Sequence, residues 1–338
     1  MENFNPNDIG IANGNYFGLP YSIDESEIVL VSVPWDATVS YSDGTAQGPQ
    51  AIIDASLQVD LFDEAIPNAW LTKVGTHPID EEIESLNNKS RETAIKVIES
   101  LEVGQEPEPE LLKEVNDASC RVNKYVEELS GSYLEKGKVV GVVGGEHSVP
   151  FGLIKALAAK NEEFGVLHID AHADLREAYE GFEYSHASIM YNTISQIPQV
   201  TQLTQVAVRD FCSDEWNIMQ ESAKVTSFTD REIANSMFEG KSWKEICSQI
   251  VSTLPDKVYV SFDIDGLSPD LCPNTGTPVP GGMSFRQADY LLETIVRQGK
   301  KIIGFDLCEV ASAENGEWDA NVGARVLFKL CCWTRMSL

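Results

Sequence analysis

Six short apolar runs, rich in Val, Ile and aromatic residues, recur along the chain and constrain its fold more than any other feature. Amphipathic stretches with helical periodicity separate most of them. A strand that is apolar without alternation is buried on both faces, as in a parallel sheet covered on either side by crossover helices. The pattern predicts an α/β, doubly wound architecture, with strands at residues 28–33, 139–143, 164–169, 205–208, 257–262 and 301–305.

The segment from about residue 80 to 138 differs because it is strongly charged. It contains two helix-like stretches separated by GQEPEPE at 104–110, and it has too few apolar residues for a core of its own. We therefore predict one domain over residues 1–338, with a helical excursion at about 80–138 that lies outside the catalytic core. These helices are expected to cover the outside of the subunit or to line a subunit interface.

The bulk composition limits the partners and the location of the protein. The formal net charge is −28, from 53 acidic and 25 basic residues. Such a surface repels nucleic acid and anionic membranes and attracts metal ions and cationic substrates, although acidity also serves solubility alone. The seven cysteines include no CxxC pair, which favours a reducing compartment. With neither a signal-peptide pattern nor a long apolar segment in the sequence, we expect a soluble cytoplasmic protein.

Four motifs that carry carboxylates or imidazoles directly follow predicted strands. They are GGEHS at 144–148, DAHAD at 170–174, DID at 263–265 and DLCE at 306–309. Ligands of open parallel sheets bind beyond the carboxyl ends of the strands, so the four motifs are expected to meet at one edge. Carboxylates collected there would repel one another and lose hydration, and divalent cations would remove that conflict.

Within these motifs lies a candidate ligand set of four carboxylates and two imidazoles: His147, Asp170, His172, Asp174, Asp263 and Asp265. Alternation along an extended chain would place the ligands of each motif on one side. Two metals of the Mn, Ni, Fe or Zn type could be filled if one or two carboxylates bridge. Taken singly, an Asp-x-Asp is most often a loop or a cap, and a lone His can be a core residue. Together the motifs favour a metal centre, with His168 interpreted as a core or supporting residue.

GGEHS, DAHADLR and SFDIDGLSPDLCPNTGTPVPGG resemble the signature blocks of the ureohydrolase family, which includes arginase, agmatinase, formimidoylglutamase, guanidinobutyrase and guanidinase. The resemblance extends from about residue 31 to 325 and is strongest to bacterial agmatinases. It implies a three-layer α/β/α domain with a central, mostly parallel sheet of about eight strands. It also implies two bound Mn²⁺, with Ni²⁺ as an alternative, and a homotrimer or homohexamer.

The resemblance also assigns the metal ligands. His147, Asp170, Asp174 and Asp263 resemble the ligands of one metal, and Asp170, His172, Asp263 and Asp265 resemble those of the other. Two aspartates, Asp170 and Asp263, would then bridge the two ions.

Three residues are implied to act on the substrate. Glu309 stands where the family has the acidic residue that pairs with the guanidinium, and His186, in YSHAS, stands where it has the histidine that shuttles protons. In the implied mechanism, two adjacent metals acidify a water that attacks the planar guanidine carbon. Glu309 holds the cationic group, and His186 or Asp265 relays a proton to the leaving amine. A solvent-facing histidine with a pKa near neutrality would suit that relay.

The stretch DLREAYEGFEYSHAS at 174–188 bears on the substrate, a small cationic guanidino compound. Its acidic and aromatic residues suit a cationic diamine product, so we predict hydrolysis of agmatine to putrescine and urea; they are Glu177, Tyr179, Glu180 and Glu183. Arg176 leaves two interpretations open, since it could bind a substrate carboxylate or pair with a neighbouring glutamate. The first would favour guanidinobutyrate or formiminoglutamate, and guanidinase and arginase activities are further alternatives.

Two other classes of protein share these features in part. A non-catalytic relative could keep the fold and bind a metal or a partner, and a deacetylase-type amidohydrolase would keep one zinc and fewer ligands. The six ligands are all present, which argues against both.

Two departures from the family pattern, Gln47 before GP and Ser268 in GLSP, are expected to affect packing or subunit contacts more than chemistry.

Overall fold

A sheet of eight parallel strands forms the centre of the computed structural model, which describes residues 4–311 and 316–338. The strand order is β2-β1-β3-β8-β7-β4-β5-β6. The strands are β1 (Ile28–Val33), β2 (Val74–His77), β3 (Val139–Gly144), β4 (Phe164–Ile169), β5 (Val200–Val206), β6 (Val225–Phe228), β7 (Lys257–Asp263) and β8 (Lys301–Cys308). The predicted three-layer α/β/α fold is confirmed.

Helices cover both faces of the sheet. They are α1 (Gly48–Ser56), α2 (Glu81–Glu102), α3 (Pro109–Glu135), α4 (Phe151–Ala158), α5 (Ile189–Gln196), α6 (Ser213–Glu221), α7 (Asp230–Phe238), α8 (Trp243–Ser252), α9 (Phe285–Arg297) and α10 (Trp318–Ser337). Alternate residues of a strand point to opposite faces. Ile28 and Leu30 of β1 therefore pack into the apolar cluster with α1, α8, α9 and α10, whereas Val29 and Val31 pack into the cluster with α3 and α4. Among the described residues, no helix is long and apolar enough to cross a membrane.

The sequence missed both edge strands and misplaced one other. β2 and β6 have four residues each, and only part of each is buried, because an edge strand has a neighbour on one side alone. β5 covers Val200–Val206, whereas the predicted strand was 205–208. Its sequence, VTQLTQV, mixes apolar residues with polar ones, and the polar Gln205 is satisfied by hydrogen bonds. A search for continuous apolar runs therefore does not detect this strand.

The charged segment forms α2 and α3, two long helices that pack on each other and on the sheet layer. α2 begins at the N-cap Asp80, whose side chain accepts hydrogen bonds from the amides of Glu82 and Ile83. α3 buries one face that includes Val122 and Val126, which join the apolar cluster containing α4 and β1. The opposite faces are charged, which explains why the segment looked polar as a whole.

Strand order determines where the chemistry lies. The four central strands are neighbours in the order β3-β8-β7-β4, and their carboxyl ends carry GGEHS, DLCE, DID and DAHAD respectively. Segments separated by more than a hundred residues along the chain are thus brought side by side.

Close packing of α4 on α3 predicts opposite effects for two glycine-to-alanine substitutions. A Cβ on Gly152 would lie 2.3 Å from the carbonyl oxygen of Asn123, whereas one on Gly131 meets nothing within 4 Å. Gly152→Ala is expected to lower the free energy of unfolding by about 1–3 kcal/mol through overpacking. Gly131→Ala, within α3, is expected to raise it by about 0.5–1 kcal/mol through helix propensity. Urea-induced unfolding at fixed metal concentration measures both, and equal effects would contradict the packing described.

Candidate metal centre and active site

The six candidate ligands meet at the carboxyl ends of β3, β4 and β7. Five of them are at most 4% exposed: His147, Asp170, Asp174, Asp263 and Asp265. His172 is partly exposed and faces a cavity of about 170 Å³. Buried carboxylates in such number require counter-charges in the folded protein.

Two groups of ligand atoms share Asp170. In the first, His147 Nδ1 lies 2.9 Å from Asp170 Oδ2, 3.1 Å from Asp174 Oδ2 and 3.3 Å from Asp263 Oδ2. In the second, His172 Nδ1 lies 3.1 Å from Asp265 Oδ2 and 3.4 Å from the other oxygen of Asp170. The two oxygens of Asp170 therefore face the two groups, as expected of a carboxylate between two ions.

The DAHAD motif reaches this arrangement without remaining extended. Asp174 has a φ of 53°, in the left-handed region, so the chain turns after His172. The turn carries Asp174 to His147 while His172 faces Asp265. The alternation predicted along an extended motif is therefore not what brings these ligands together.

Electrostatic strain marks the site as a cation site. Burial, followed by repulsion from Asp265 and Asp170, raises the pKa of Asp263 well above its usual value. Burial and the charge of Asp170 raise the pKa of Asp174 to about 6. For His147, burial favours the neutral ring, but hydrogen bonds to the aspartates prevail and raise its pKa. Protonated imidazole thus takes the place of a cation among these carboxylates.

The donor atoms fit divalent metal ions. Within the described residues, Asp174 Oδ2 is buried without a hydrogen-bond donor, and separate groups around His147 and around His172 lie close enough to hold an ion. The oxygen and imidazole donors of the six candidate ligands suit Mn, Ni, Fe or Zn. A further group around His147, with Asp306 and Cys308, would add a thiol. His147, Asp170, Asp174 and Asp263 would hold one ion, and Asp170, His172, Asp263 and Asp265 the other.

Residues outside the ligand set fix its orientation. His147 Nε2 lies 2.9 Å from Ser261 Oγ, on the ring edge opposite the ligand atom. His168 Nε2 lies 2.8 Å from Asp170 Oδ2, and Gln205 donates to His168 Nδ1 at 3.1 Å. Because Gln205 occupies Nδ1, the proton of His168 is directed from Nε2 to Asp170. His168 is buried and contacts Asp170, which is the position expected of a histidine that supports a ligand.

An arginine that sequence analysis did not single out connects the loops around the site. Arg209, just after β5, donates to the backbone carbonyls of Asp265, Leu267 and Val279. Backbone carbonyl oxygens thus accept the hydrogen bonds of the Arg209 guanidinium close to the ligands. These bonds also fasten the DID turn to the loop that follows it. Its signal in the sequence was a charged residue directly after an apolar run.

Glu309 lies beside the ligands at the end of β8. Its Oε1 accepts a hydrogen bond of 2.8 Å from the backbone amide of His147. Burial, together with repulsion from Glu146, raises its pKa well above the usual range. A cation placed beside Glu309 would reverse this shift, so the residue is suited to bind a guanidinium.

His186 lines the same cavity as His172. Its backbone amide donates to Thr38 Oγ1 at 3.2 Å, and its Nδ1 lies 3.4 Å from the same oxygen. Burial and, second, the charge of His172 lower the pKa of His186 to about 4. The sequence led us to expect a solvent-facing ring with a pKa near neutrality; the half-buried position of His186 between the two loops shifts its pKa downward instead.

The cavity beyond the ligands differs from the predicted substrate loop. Of the four acidic and aromatic residues predicted to face the substrate, Tyr179 lines the cavity. The other three do not: Glu177 and Glu183 are exposed and Glu180 is half-buried. The acidic lining comes instead from Asp210 and Glu215, which follow β5 and which sequence analysis missed. Both lie in RDFCSDE, a polar stretch with no motif of its own.

Arg176 is engaged within the cavity wall. Its Nε lies 3.6 Å from Glu215 Oε2, and its guanidinium carbon lies 4.7 Å from the centre of the Tyr179 ring. Glu215 is buried and also accepts a hydrogen bond from the amide of Leu175. Of the two interpretations of Arg176, the geometry favours pairing with a neighbouring glutamate.

Comparisons with known proteins agree with this geometry. The model of the Arginase family matches residues 26–332. The N(1)-aminopropylagmatine ureohydrolase of Thermus thermophilus is 31% identical over 309 residues, covering 91% of this chain and 89% of that protein. The agmatinase of Bacillus subtilis is 27% identical, covering 90% of each. The solved agmatine ureohydrolase of Thermoplasma volcanium has a TM-score of 0.72 at 19% identity, with 96% of each chain covered.

The strain among the carboxylates predicts how metal ions and one substitution affect stability. Mn²⁺ at 100 times its dissociation constant is expected to raise the free energy of unfolding by about 2.7 kcal/mol. Asp263→Asn should abolish most of this gain. A carboxyl with a raised pKa costs the folded state stability as the pH rises from the usual pKa towards the raised one. Asp263→Asn should therefore also make the metal-free protein more stable at neutral pH.

Thermal unfolding with EDTA and with added Mn²⁺ measures both effects, and metal content after dialysis gives the stoichiometry. Asp24→Asn, a substitution of an exposed aspartate, is the matched control and should change neither. A metal-free Asp263→Asn protein that is less stable than the wild type would refute the electrostatic argument.

Proposed function

The chain belongs to the arginase family, and we propose that it hydrolyses agmatine to urea and putrescine. Ureohydrolases of this family cleave a carbon–nitrogen bond of a guanidino group, and the chain has this activity in common with them. The observation that carries the choice of agmatine is the engagement of Arg176 by Glu215 and Tyr179. With this guanidinium already paired, the cavity wall favours a substrate tail that ends in an ammonium over one that carries a carboxylate.

We propose two Mn²⁺ as the ions, with Ni²⁺ as the alternative, on the six ligands described above. When bound, the ions would neutralise the carboxylates and lower the pKa of a water so that it is a nucleophile at neutral pH. Metal binding requires His147 and His172 to be neutral, so the protons they hold in the metal-free protein would be released.

The protein's own residues then hold and protonate the substrate. Glu309, fixed by the amide of His147, pairs with the guanidinium and sets the position of its planar carbon. His186, which lines the cavity together with His172, can accept a proton on one nitrogen while it releases one from the other to the leaving amine. Asp265, next to His172, is the second group within reach of such a relay.

A longer polyamine is the second candidate substrate. Relatives from Thermus thermophilus, Synechocystis and Thermococcus kodakarensis bear the name N(1)-aminopropylagmatine ureohydrolase. Asp210 lines the cavity and is exposed, unlike the buried Glu215, and could bind an additional ammonium. An agmatine that carries an aminopropyl group would present one.

We also propose a cytoplasmic homotrimer or homohexamer. All seven cysteines are free thiols, and five of them are buried, as expected of a protein kept in a reducing compartment.

A panel of substrates tests the proposed function. We expect the Mn-loaded protein to release urea from agmatine or N(1)-aminopropylagmatine with a higher kcat/KM than from arginine, guanidinobutyrate or guanidine. Formiminoglutamate is followed through formamide, and each assay is repeated with Ni²⁺. Arg176→Met should leave the order of preference unchanged, because Arg176 is paired within the wall.

Two outcomes would contradict the proposal. Preference for a carboxylate-bearing substrate that Arg176→Met abolishes would make Arg176 a specificity residue. No turnover of any substrate by protein that holds two metals would assign the chain to the non-catalytic relatives.

Glu309→Gln tests the guanidinium contact. Loss of a charge-assisted hydrogen bond of about 1.5–3 kcal/mol should lower kcat/KM for agmatine by roughly 10- to 150-fold. Glu177→Gln, a substitution of an exposed glutamate, is the matched control and should have little effect. Metal content is measured for both, since an equal loss of metal and activity in Glu309→Gln would mean that Glu309 acts through the metal ligands instead.

A further inference from the structure

The helical hairpin α2–α3 lies behind the two loops that enclose His186. We call residues 34–47 the β1 loop and residues 175–188 the β4 loop. We propose that Asn87 on α2 and Asn116 on α3 are positioning residues, which hold these loops and thereby place the His186 imidazole for proton transfer. The inference rests on the proposed function, since it deepens the role given there to His186.

Asn87 binds the β1 loop through both atoms of its amide. Its Oδ1 accepts from the backbone amide of Asp36 at 2.7 Å, and its Nδ2 donates to Asp36 Oδ1 at 3.0 Å. The other oxygen of Asp36 accepts from the amides of Gly44 and Ala46, which closes the loop on itself. Arg91, one turn further along α2, donates to the carbonyl of Val39. α2 therefore holds the first half of the β1 loop directly and its second half through Asp36.

Asn116 binds the β4 loop in the same bidentate manner. Its Nδ2 donates to the carbonyl of Gly181 at 3.1 Å, and its Oδ1 accepts from the amide of Glu183 at 2.9 Å. Phe182, between these two residues, is fully buried among apolar side chains of α2 and α3. A Cβ on Gly181 would lie 2.9 Å from Leu112, so the loop passes directly over α3.

The two loops meet at His186. Thr38 of the β1 loop lies within hydrogen-bond range of both the amide and the Nδ1 of His186. Thr38 is held in turn by the buried Glu146, which accepts from its amide at 2.7 Å and from its hydroxyl at 2.8 Å. On the other side, the Tyr179 ring packs edge-on against His186 with 5.9 Å between ring centres. Thr38 and Tyr179, the two neighbours that orient the imidazole, thus belong to the β1 loop and the β4 loop, which α2 and α3 hold.

Asparagine is a poor choice for the middle of a helix unless its amide has a specific partner. Here each amide satisfies backbone or side-chain groups of a loop that has no regular hydrogen-bond ladder of its own. A proton relay is sensitive to displacement of the transferring group, and a shift of about 1 Å can cost roughly 100-fold in rate. Releasing either loop should therefore lower kcat without removing any group that touches the substrate.

A double-mutant cycle tests the proposal. Asn116→Ala is expected to lower kcat for agmatine by about tenfold or more, with a smaller change in KM. In a His186→Asn background the same substitution should add no more than about a twofold loss, because its effect passes through His186. A merely structural role would give the same fold-loss in both backgrounds and would overturn the proposal. Asn88→Ala, on the exposed face beside Asn87, is the control and should leave kcat unchanged.

Hydrogen exchange separates failure of this proposal from failure of the proposed function. In Asn116→Ala the amides of Glu183 and His186 should exchange at least about tenfold faster than in the wild type, while the central strands keep their protection. Asn116→Asp keeps the acceptor for the Glu183 amide and loses the donor to the Gly181 carbonyl. The Glu183 amide should therefore stay protected in this variant. The same variant replaces Asn116→Ala if that protein does not fold. Unchanged exchange in Asn116→Ala overturns the proposal whatever the protein hydrolyses, and absence of urea release with altered exchange refutes the proposed function alone.

Discussion

Repulsion among four buried aspartates is the constraint on which the rest of the structure depends. Asp170, Asp174, Asp263 and Asp265 lie together at the edge of the sheet, where solvent cannot screen them. The fold tolerates them because His147 and His172 stand between them and because a cation can replace the imidazole protons. The surrounding hydrogen bonds from Ser261, His168 and Arg209 then keep the ligands from moving apart to relieve the repulsion.

This constraint connects substrate binding to the metal centre. Glu309 accepts a hydrogen bond from the backbone amide of His147. The residue proposed to bind the guanidinium is therefore held by the backbone of a residue proposed as a ligand of the first metal. The cavity continues past His172 to Arg176 and Glu215, whose pairing makes its wall compatible with a cationic tail.

The metal centre could be predicted from the sequence because each ligand motif directly follows a strand that is buried on both faces. Continuous apolar runs such as 257–262 identify such strands, and parallel alignment then brings their ends together. The cavity wall could not be predicted, since Asp210 and Glu215 follow β5, where the buried Gln205 is satisfied by partners distant along the chain. Nor could the position of the Asp174 side chain, which depends on a left-handed φ. The same holds for the surroundings of His186, since Thr38, its hydrogen-bond partner, is 148 residues away in the chain.

The strand order also determines when the centre is complete during synthesis. β8 lies between β3 and β7, so the half of the sheet formed by β2, β1 and β3 joins the other half through the last strand of the described chain. Until residues 301–308 have been made, the strand that joins the two halves is missing. The sheet then does not yet hold His147, on one half, next to Asp170 and Asp263 on the other. Pairings of such large sequence separation form slowly. An ion that needs ligands from both halves would therefore bind only after β8 has joined them, so an occupied centre would report that the whole sheet has closed.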